Sequence, residues 1–455
     1  MTAMRSVNPA TGETIRDHPE PGPAEVEERL ALAARTFEAW SRTPIAARAD
    51  LMRRAARVLR EDRDRLARLM TEEMGKTIVA AEAEVDKCGL ACDWFAEHAE
   101  GFLAPEPVAS DAARSAIRYE PLGVILAVMP WNFPLWQALR AAVPALMAGN
   151  VVVLKHASNV PGCALAIEQV FARAGFPPGA FTTLLLPAAR AEALVDHQAI
   201  RAVTLTGSEE AGRRLGARAA AALKKTVLEL GGSDPFLVLA DADPEAVAAQ
   251  AVAARVQNNG QSCIAAKRFI VETPIAERFE RAFAERMAAL RVGDPLERAI
   301  QVGPLARDDL RDTLDRQVRD SLAAGARLLV GGERRQGPGF YYSPTVLAGV
   351  TPGMPAFDEE TFGPVAAVTR ARDVAEAVAF ANRSRYGLGA SVWTADRSRG
   401  ESLARDLEAG LVFVNGIVKS DPRLPFGGVK ASGYGRELAA IGIREFVNVK
   451  TVWVG

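Results

Sequence analysis

Residues 203–216, VTLTGSEEAGRRLG, decide how this chain is built. A short apolar run, residues 203–205, leads into Thr206-Gly207-Ser208, and a helical pattern opens with Glu209 and Glu210. Gly207 supplies the turn, and the Ser208 hydroxyl is placed to cap the first N–H groups of the helix. A helix N-terminus directly after a parallel strand is also a seat for a pyrophosphate. The spacing is not GxGxxG, so simple capping explains the stretch equally well.

The same texture continues on both sides. GVILAVMP at 123–130, NVVVLK at 150–155, FTTLLL at 181–186, KTVLEL at 225–230 and PFLVLA at 235–240 are short apolar runs. They are rich in β-branched residues, and helical stretches at 162–174 and 209–223 separate several of them. Strands alternating with helices predict βαβ units and a parallel sheet covered on both faces. A second alternating series runs from RFIVE at 268–272 to LVFVNG at 411–416, with helices expected at 275–290, 374–383 and 397–407. It predicts a second α/β unit. Residues 23–100 read as helices. The tail FVNVKTVWVG alternates apolar and polar residues, as an edge strand does, and such a strand needs a pairing partner.

The whole chain sets outer bounds. At 455 residues it is long enough for two or three domains. Hydrophobic content of 49% and charged content of 24% are those of an ordinary globular protein. Lys+Arg of 55 against Asp+Glu of 56 argues against nucleic acid or an anionic membrane as the main partner. Four cysteines, Cys88, Cys92, Cys163 and Cys263, make no disulfide framework, which predicts a reducing cytoplasm. The N-terminus has no apolar signal core, and no apolar run approaches the roughly 20 residues of a membrane helix. Cys88 and Cys92 lack the further ligands of a zinc site and read as packing residues, so no metal is expected.

Five positions have chemistry in them. Cys263, in QNNGQSCIAAKR at 257–268, is either a nucleophile or a small buried apolar side chain. Lys155 ends an apolar strand, where ligands of parallel sheets gather. Glu229 sits between Leu228 and Leu230: turned inward it would have a raised pKa and serve as a general base, turned outward it would be solvated. Asn132, held among Trp131, Phe133 and two prolines, offers a rigid amide for an oxyanion or an Asx-turn. Arg140 follows Asn132 by eight residues, two turns along an expected helix, and offers bidentate recognition of a carboxylate or a structural ion pair. GxSxG and HExxH are absent, and no His–Cys arrangement suggests a thiol protease.

The order of the motifs adds what no single one carries. PWNFP, the strand-end Lys155, TGS, LELGG, GQSC, EETFGP and PFGGVKASGYGRE occur in that order. This resembles the NAD(P)-dependent aldehyde dehydrogenase superfamily. NPATGE, MPWNFPLWQ, LKHASNVPGCA and ALKKTVLELGGSDPF are similar to the shorter succinate-semialdehyde dehydrogenases. The resemblance implies a Rossmann-like cofactor domain at 1–102 and 122–231 and a catalytic α/β domain at 232–445. It also implies an oligomerisation element at 103–121 and 446–455, serving a homodimer or a dimer of dimers.

It further implies Cys263 as nucleophile, Asn132 with the Cys263 N–H as oxyanion hole, and Glu229 as the base for thioester hydrolysis. Covalent addition suits an aldehyde, because sulfur addition creates the alkoxide from which hydride can leave. Free thiol is only a few per cent thiolate at pH 7, so a depressed Cys263 pKa is expected. Cofactor contacts would come from Trp131, Lys155, Ser158, Gly207, Ser208, Glu360 and Phe362. NAD-preferring members commonly carry Glu three residues after the strand-end Lys; this chain has Ser158, which predicts that NADP is accepted and preferred over NAD. Substrate contacts are expected from Arg140, Trp136 and Ser420, with a short semialdehyde, succinate semialdehyde above all, oxidised to its acid. Glutarate semialdehyde or a neutral aliphatic aldehyde is the alternative within enzymes, and an inactive scaffold of the same fold the alternative outside them.

Overall fold

In the computed structural model, which describes residues 3–455, residues 203–216 lie in the strand Ile200–Thr206 and the helix Glu209–Ala221. Ser208 caps that helix by accepting from the Ala211 N–H at 3.3 Å. The strand lies inside a six-stranded sheet with the order Gly433–Tyr434, Lys225–Glu229, Ile200–Thr206, Val124–Val128, Val151–Lys155, Phe181–Thr183. Every neighbouring pair is parallel except the first. Val151–Lys155 is buried at all five positions, as a strand covered on both faces must be. Strand order reverses between Val124–Val128 and Ile200–Thr206. Their carboxyl ends open a crevice there, where ligands of such sheets bind.

Four helices, Pro23–Trp40, Ile45–Glu61, Arg63–Met74 and Ile78–Phe102, fill the expected helical stretch. They share one apolar core with the six-stranded sheet, through Leu30, Met52, Leu59, Phe95, Leu139 and Val153 among others. Cys88 and Cys92 are buried in that core as free thiols. A hairpin, Ala3–Val7 against Thr14–Pro19, precedes the helices and was not foreseen.

The second series forms a seven-stranded sheet in the order Arg327–Val330, Thr345–Ala348, Val365–Ala371, Arg268–Glu272, Pro235–Val238, Gly389–Trp393, Leu411–Val414. Only the first pair is antiparallel. The chain does not stay with this sheet up to residue 445. Past Leu411–Val414 the chain crosses back, Gly433 pairs with Glu229 in the first sheet, and Phe426, Leu438 and Ile443 join the first core. Sequence periodicity could not show this, because the returning strand is only two residues long.

The tail strand Val447–Val454 pairs antiparallel with Arg114–Pro121, which in turn holds Glu106–Pro107. Val447–Val454 is an edge of this three-stranded sheet and exposes Val449, Trp453 and Val454. No described helix is long and apolar enough to cross a membrane.

Candidate active site

Cys263 sits on the loop between the helix Pro244–Val256 and the strand Arg268–Glu272 of the second sheet. Three consecutive residues before it, Asn258, Asn259 and Gly260, have φ of 55°, 58° and 75°. Asn tolerates this left-handed region better than other side chains do. At Gly260 nothing else fits, since a Cβ would stand 2.2 Å from the Gly363 carbonyl oxygen. The fully buried Lys267 fastens the loop by donating to the carbonyls of Ser262 and Cys263, both at 2.9 Å, and Ala265 at 3.1 Å. Arg255 donates to Gly260 O at 2.7 Å. The Cys263 N–H has no intramolecular partner among the described residues, so it is free to serve an oxyanion.

Two cavities meet at Cys263. The first, about 240 Å³, is walled by Trp131, Asn132, Gly207, Ser208, Gly231, Cys263, Glu360 and Phe362. It lies at the switch point of the six-stranded sheet: Trp131 and Asn132 follow the strand Val124–Val128, and Gly207 and Ser208 follow Ile200–Thr206. Trp131 and Phe362 meet edge-on with ring centres 5.7 Å apart. Glu360 accepts from the Gly232 N–H at 3.0 Å and lies 3.6 Å from Lys267, tying this wall to the Cys263 loop. A neighbouring cavity of about 530 Å³ is walled by Lys155, Ser158, Arg307, Arg5 and Glu20 among others; Glu20 lies 3.5 Å from Arg190. Lys155 has no carboxylate partner among the described residues, and burial lowers its pKa. A buried, unpaired ammonium beside a hydroxyl and no carboxylate at residue 158 fits a phosphate-bearing dinucleotide.

Asn132 directs its Nδ2 to the Gln261 carbonyl at 3.0 Å, while its own carbonyl accepts from Asn258 at 2.7 Å. One amide hydrogen of Nδ2 is spent on Gln261; the other remains for an oxyanion at Cys263.

The second cavity, about 230 Å³, is walled by Ala80, Ala83, Glu84, Lys87, Trp136, Arg140, Cys263, Ser420 and Phe426 among others. Arg140, Trp136 and Ser420 are thus brought together as expected. Arg140 also has partners within the protein: its guanidinium forms a buried ion pair with Glu437 through Nε, reaches Thr206 Oγ1 at 3.3 Å and lies 4.4 Å over the Phe426 ring. The other N–H groups of its fork have no partner among the described residues. Lys87 was missed altogether, although Ala80, Ala83, Glu84 and Lys87 follow the spacing of one helix face.

Glu229 does turn inward, and its outward alternative is excluded: it is 2 % exposed. Neither cavity at Cys263 is walled by it. Its carboxylate has no hydrogen-bond partner, and a Cβ on Gly427 would lie 2.6 Å from its Oε1. Burial first, and the neighbouring Glu437 second, hold its pKa well above the usual carboxylate range. Cys263 departs from expectation in the same sense. Burial pushes its thiol up to about 12, against the lowering influence of Arg140 and Lys267. Without ligands Cys263 is a thiol, because enclosure in protein outweighs the two cations beside it.

A profile of the aldehyde dehydrogenase family matches residues 1–452. The chain is similar to "Succinate-semialdehyde dehydrogenase [NADP(+)] 1" of Mycobacterium tuberculosis, 52% identical over 99% of both chains. It is 53% identical to the "Probable succinate-semialdehyde dehydrogenase [NADP(+)]" of Synechocystis sp., over 99% of this chain and 100% of the other. Among solved structures it resembles succinic semialdehyde dehydrogenase from Streptococcus pyogenes in complex with NADP+, at TM-score 0.97 and 34% identity, over 99% of this chain and 100% of that one.

Proposed function

The chain belongs to the aldehyde dehydrogenase family, and from that premise we propose that it oxidises succinate semialdehyde to succinate with NADP. The observation that carries this reading is the junction at Cys263 of two cavities, one suited to a dinucleotide and one bearing cations and a hydroxyl.

The Cys263 thiol gives up its proton to solvent, and its sulfur adds to the aldehyde carbon, so that the carbonyl π bond breaks and its electron pair goes to oxygen. Asn132 Nδ2 and the Cys263 N–H hold the oxyanion that results; both are fixed beforehand by the Gln261 and Lys267 contacts, so little reorganisation is needed. Trp131, Lys155, Ser158, Gly207, Ser208, Glu360 and Phe362 hold the dinucleotide, which when bound supplies a hydride acceptor. Once the oxyanion carbon has given up its hydride, a Cys263 thioester remains; Glu229 takes a proton from the water that attacks it and passes that proton to the departing sulfur, releasing acid and thiol. It does so after its side chain rotates from beside Gly427 into the cavity. A carboxylate whose pKa is raised is a stronger base for that step.

We place the enzyme in the cytoplasm, which suits its four free thiols. The exposed edge of Val447–Val454 suits pairing with a second copy, as a homodimer or a dimer of dimers. The test is a panel of aldehydes with both cofactors, read as reduced-nicotinamide absorbance. Succinate semialdehyde with NADP is expected to exceed both butanal with NADP and succinate semialdehyde with NAD by about tenfold or more in kcat/KM, a gap of roughly 1.4 kcal/mol. A neutral aldehyde in first place would refute the substrate, and NAD in first place the cofactor.

A further inference from the structure

We infer that the buried Lys76–Glu84 ion pair is a positioning device for the oxyanion site: it sets the segment that carries Asn132 against the loop that carries Cys263. The inference rests on the roles given to Asn132 and Cys263 above and names the residues that act through them.

Lys76 follows the helix Arg63–Met74, and Glu84 lies two turns into the helix Ile78–Phe102. Both side chains are withdrawn from solvent, and they pair with each other. Their other contacts converge on one short stretch. Glu84 Oε1 accepts the N–H groups of Leu135 and Trp136, both at 2.9 Å, where the helix Trp136–Met147 begins. The Lys76 ammonium lies 4.3 Å from the centre of the Phe133 ring. The pair therefore grips residues 133, 135 and 136, immediately after Asn132.

The same turn of chain also holds the other half of the site. The carbonyl of Gly75, next to Lys76, accepts from Asn259 Nδ2 at 2.8 Å. Asn258, its neighbour on the Cys263 loop, donates to the carbonyl of Asn132 at 2.7 Å. Residues 75–84 thus touch both the amide donor's segment and the nucleophile's loop, and those two touch each other. A frame closed in this way leaves the distance between Asn132 Nδ2 and Cys263 little freedom.

Stability alone does not account for the pair. Two charges buried this deeply add little over a well-packed apolar pair of the same volume. What an apolar side chain at residue 84 could not do is accept two N–H groups and fix their direction. An oxyanion donor works only when it is aimed beforehand at the place where charge develops.

The experiment compares two charge-free variants of the full-length enzyme with NADP, K76M/E84Q and K76M/E84L, each made with and without N132A. Rates are expressed per mole of Cys263 that iodoacetamide alkylates, so that misfolded enzyme is not counted. The Gln variant keeps an oxygen for the two N–H groups and the Leu variant does not. With Asn132 present, kcat for the Leu variant is expected to be about 10- to 100-fold below that of the Gln variant, as a displacement of about 1 Å would cause. KM for NADP is expected to be the same in both. With N132A the gap in kcat is expected to close, because the group being aimed is gone. Equal kcat in the two variants, or a gap that persists in N132A, overturns the inference. Should the Leu variant not fold, E84D with and without N132A decides it: a shortened carboxylate is expected to lower kcat with Asn132 present and to have no further effect in N132A, and any other pattern overturns the inference. An N132A enzyme with unchanged kcat overturns the oxyanion reading and this inference together, whereas a large N132A effect with a persisting gap overturns this inference alone.

Discussion

The two cavities that meet at Cys263 are made of different materials. The cofactor side is built at strand ends: Trp131, Asn132, Gly207 and Ser208 all follow strands of one sheet, at the point where its order reverses. Ladder hydrogen bonds fix the strands they follow, and their position follows from topology. The other side is built from helix faces and a returning loop: Ala80, Ala83 and Lys87, then Trp136 and Arg140, then Ser420. There each side chain's partner decides what it does. The cofactor side is set by backbone and the substrate side by side-chain pairing, so single substitutions should retune the second far more readily than the first.

The largest effect is expected at the junction itself. Cys263→Ala should reduce turnover of every aldehyde by at least ~10⁴-fold, as loss of a nucleophile does; substantial residual oxidation would break the comparison, since the two cavities would then meet at nothing. Arg140→Leu comes next. It leaves Glu437 buried without its partner, close to Glu229, and should cost about 3–5 kcal/mol of folding stability in urea titrations. Its loss of kcat/KM should be larger for succinate semialdehyde than for butanal; equal losses would confine Arg140 to its structural pair. Asn132→Ala should lower kcat by ~10²–10³, or about 2.7–4 kcal/mol, with a far smaller change in KM. Ser158→Glu places a carboxylate where a phosphate is to bind, and should lower kcat/KM for NADP by about 10- to 100-fold while sparing NAD. The smallest is the response to pH. The thiol of Cys263 is raised, so the reactive form grows with pH, and kcat/KM for a neutral aldehyde should climb by up to about tenfold per unit between pH 6 and 8.

The two sides were also unequally legible. Strand, turn and helix at 200–221 lie where the apolar run and Gly207 put them, and Lys155 and Ser208 fell beside cavities because strand ends can be read from local sequence. Lys87 was hidden inside a helix that reads as packing, although its spacing with Ala80 and Ala83 was in plain view. Arg140 lies in the cavity expected for it, but its ion pair with Glu437 could not be read from the sequence. Glu437 lies almost 300 residues further on and reaches it only because residues 426–446 cross back to the first sheet.

The sequence by itself determined the alternation of strands and helices, the positions of the strand-end residues and the single cysteine among polar neighbours, because these follow from local periodicity and turn chemistry. How the buried cations are paired, how far Glu229 is withdrawn, and that burial raises the Cys263 thiol were decided only in three dimensions. Charge pairing and desolvation depend on distance through space, and the chain brings those groups together from segments that carry no mark of one another.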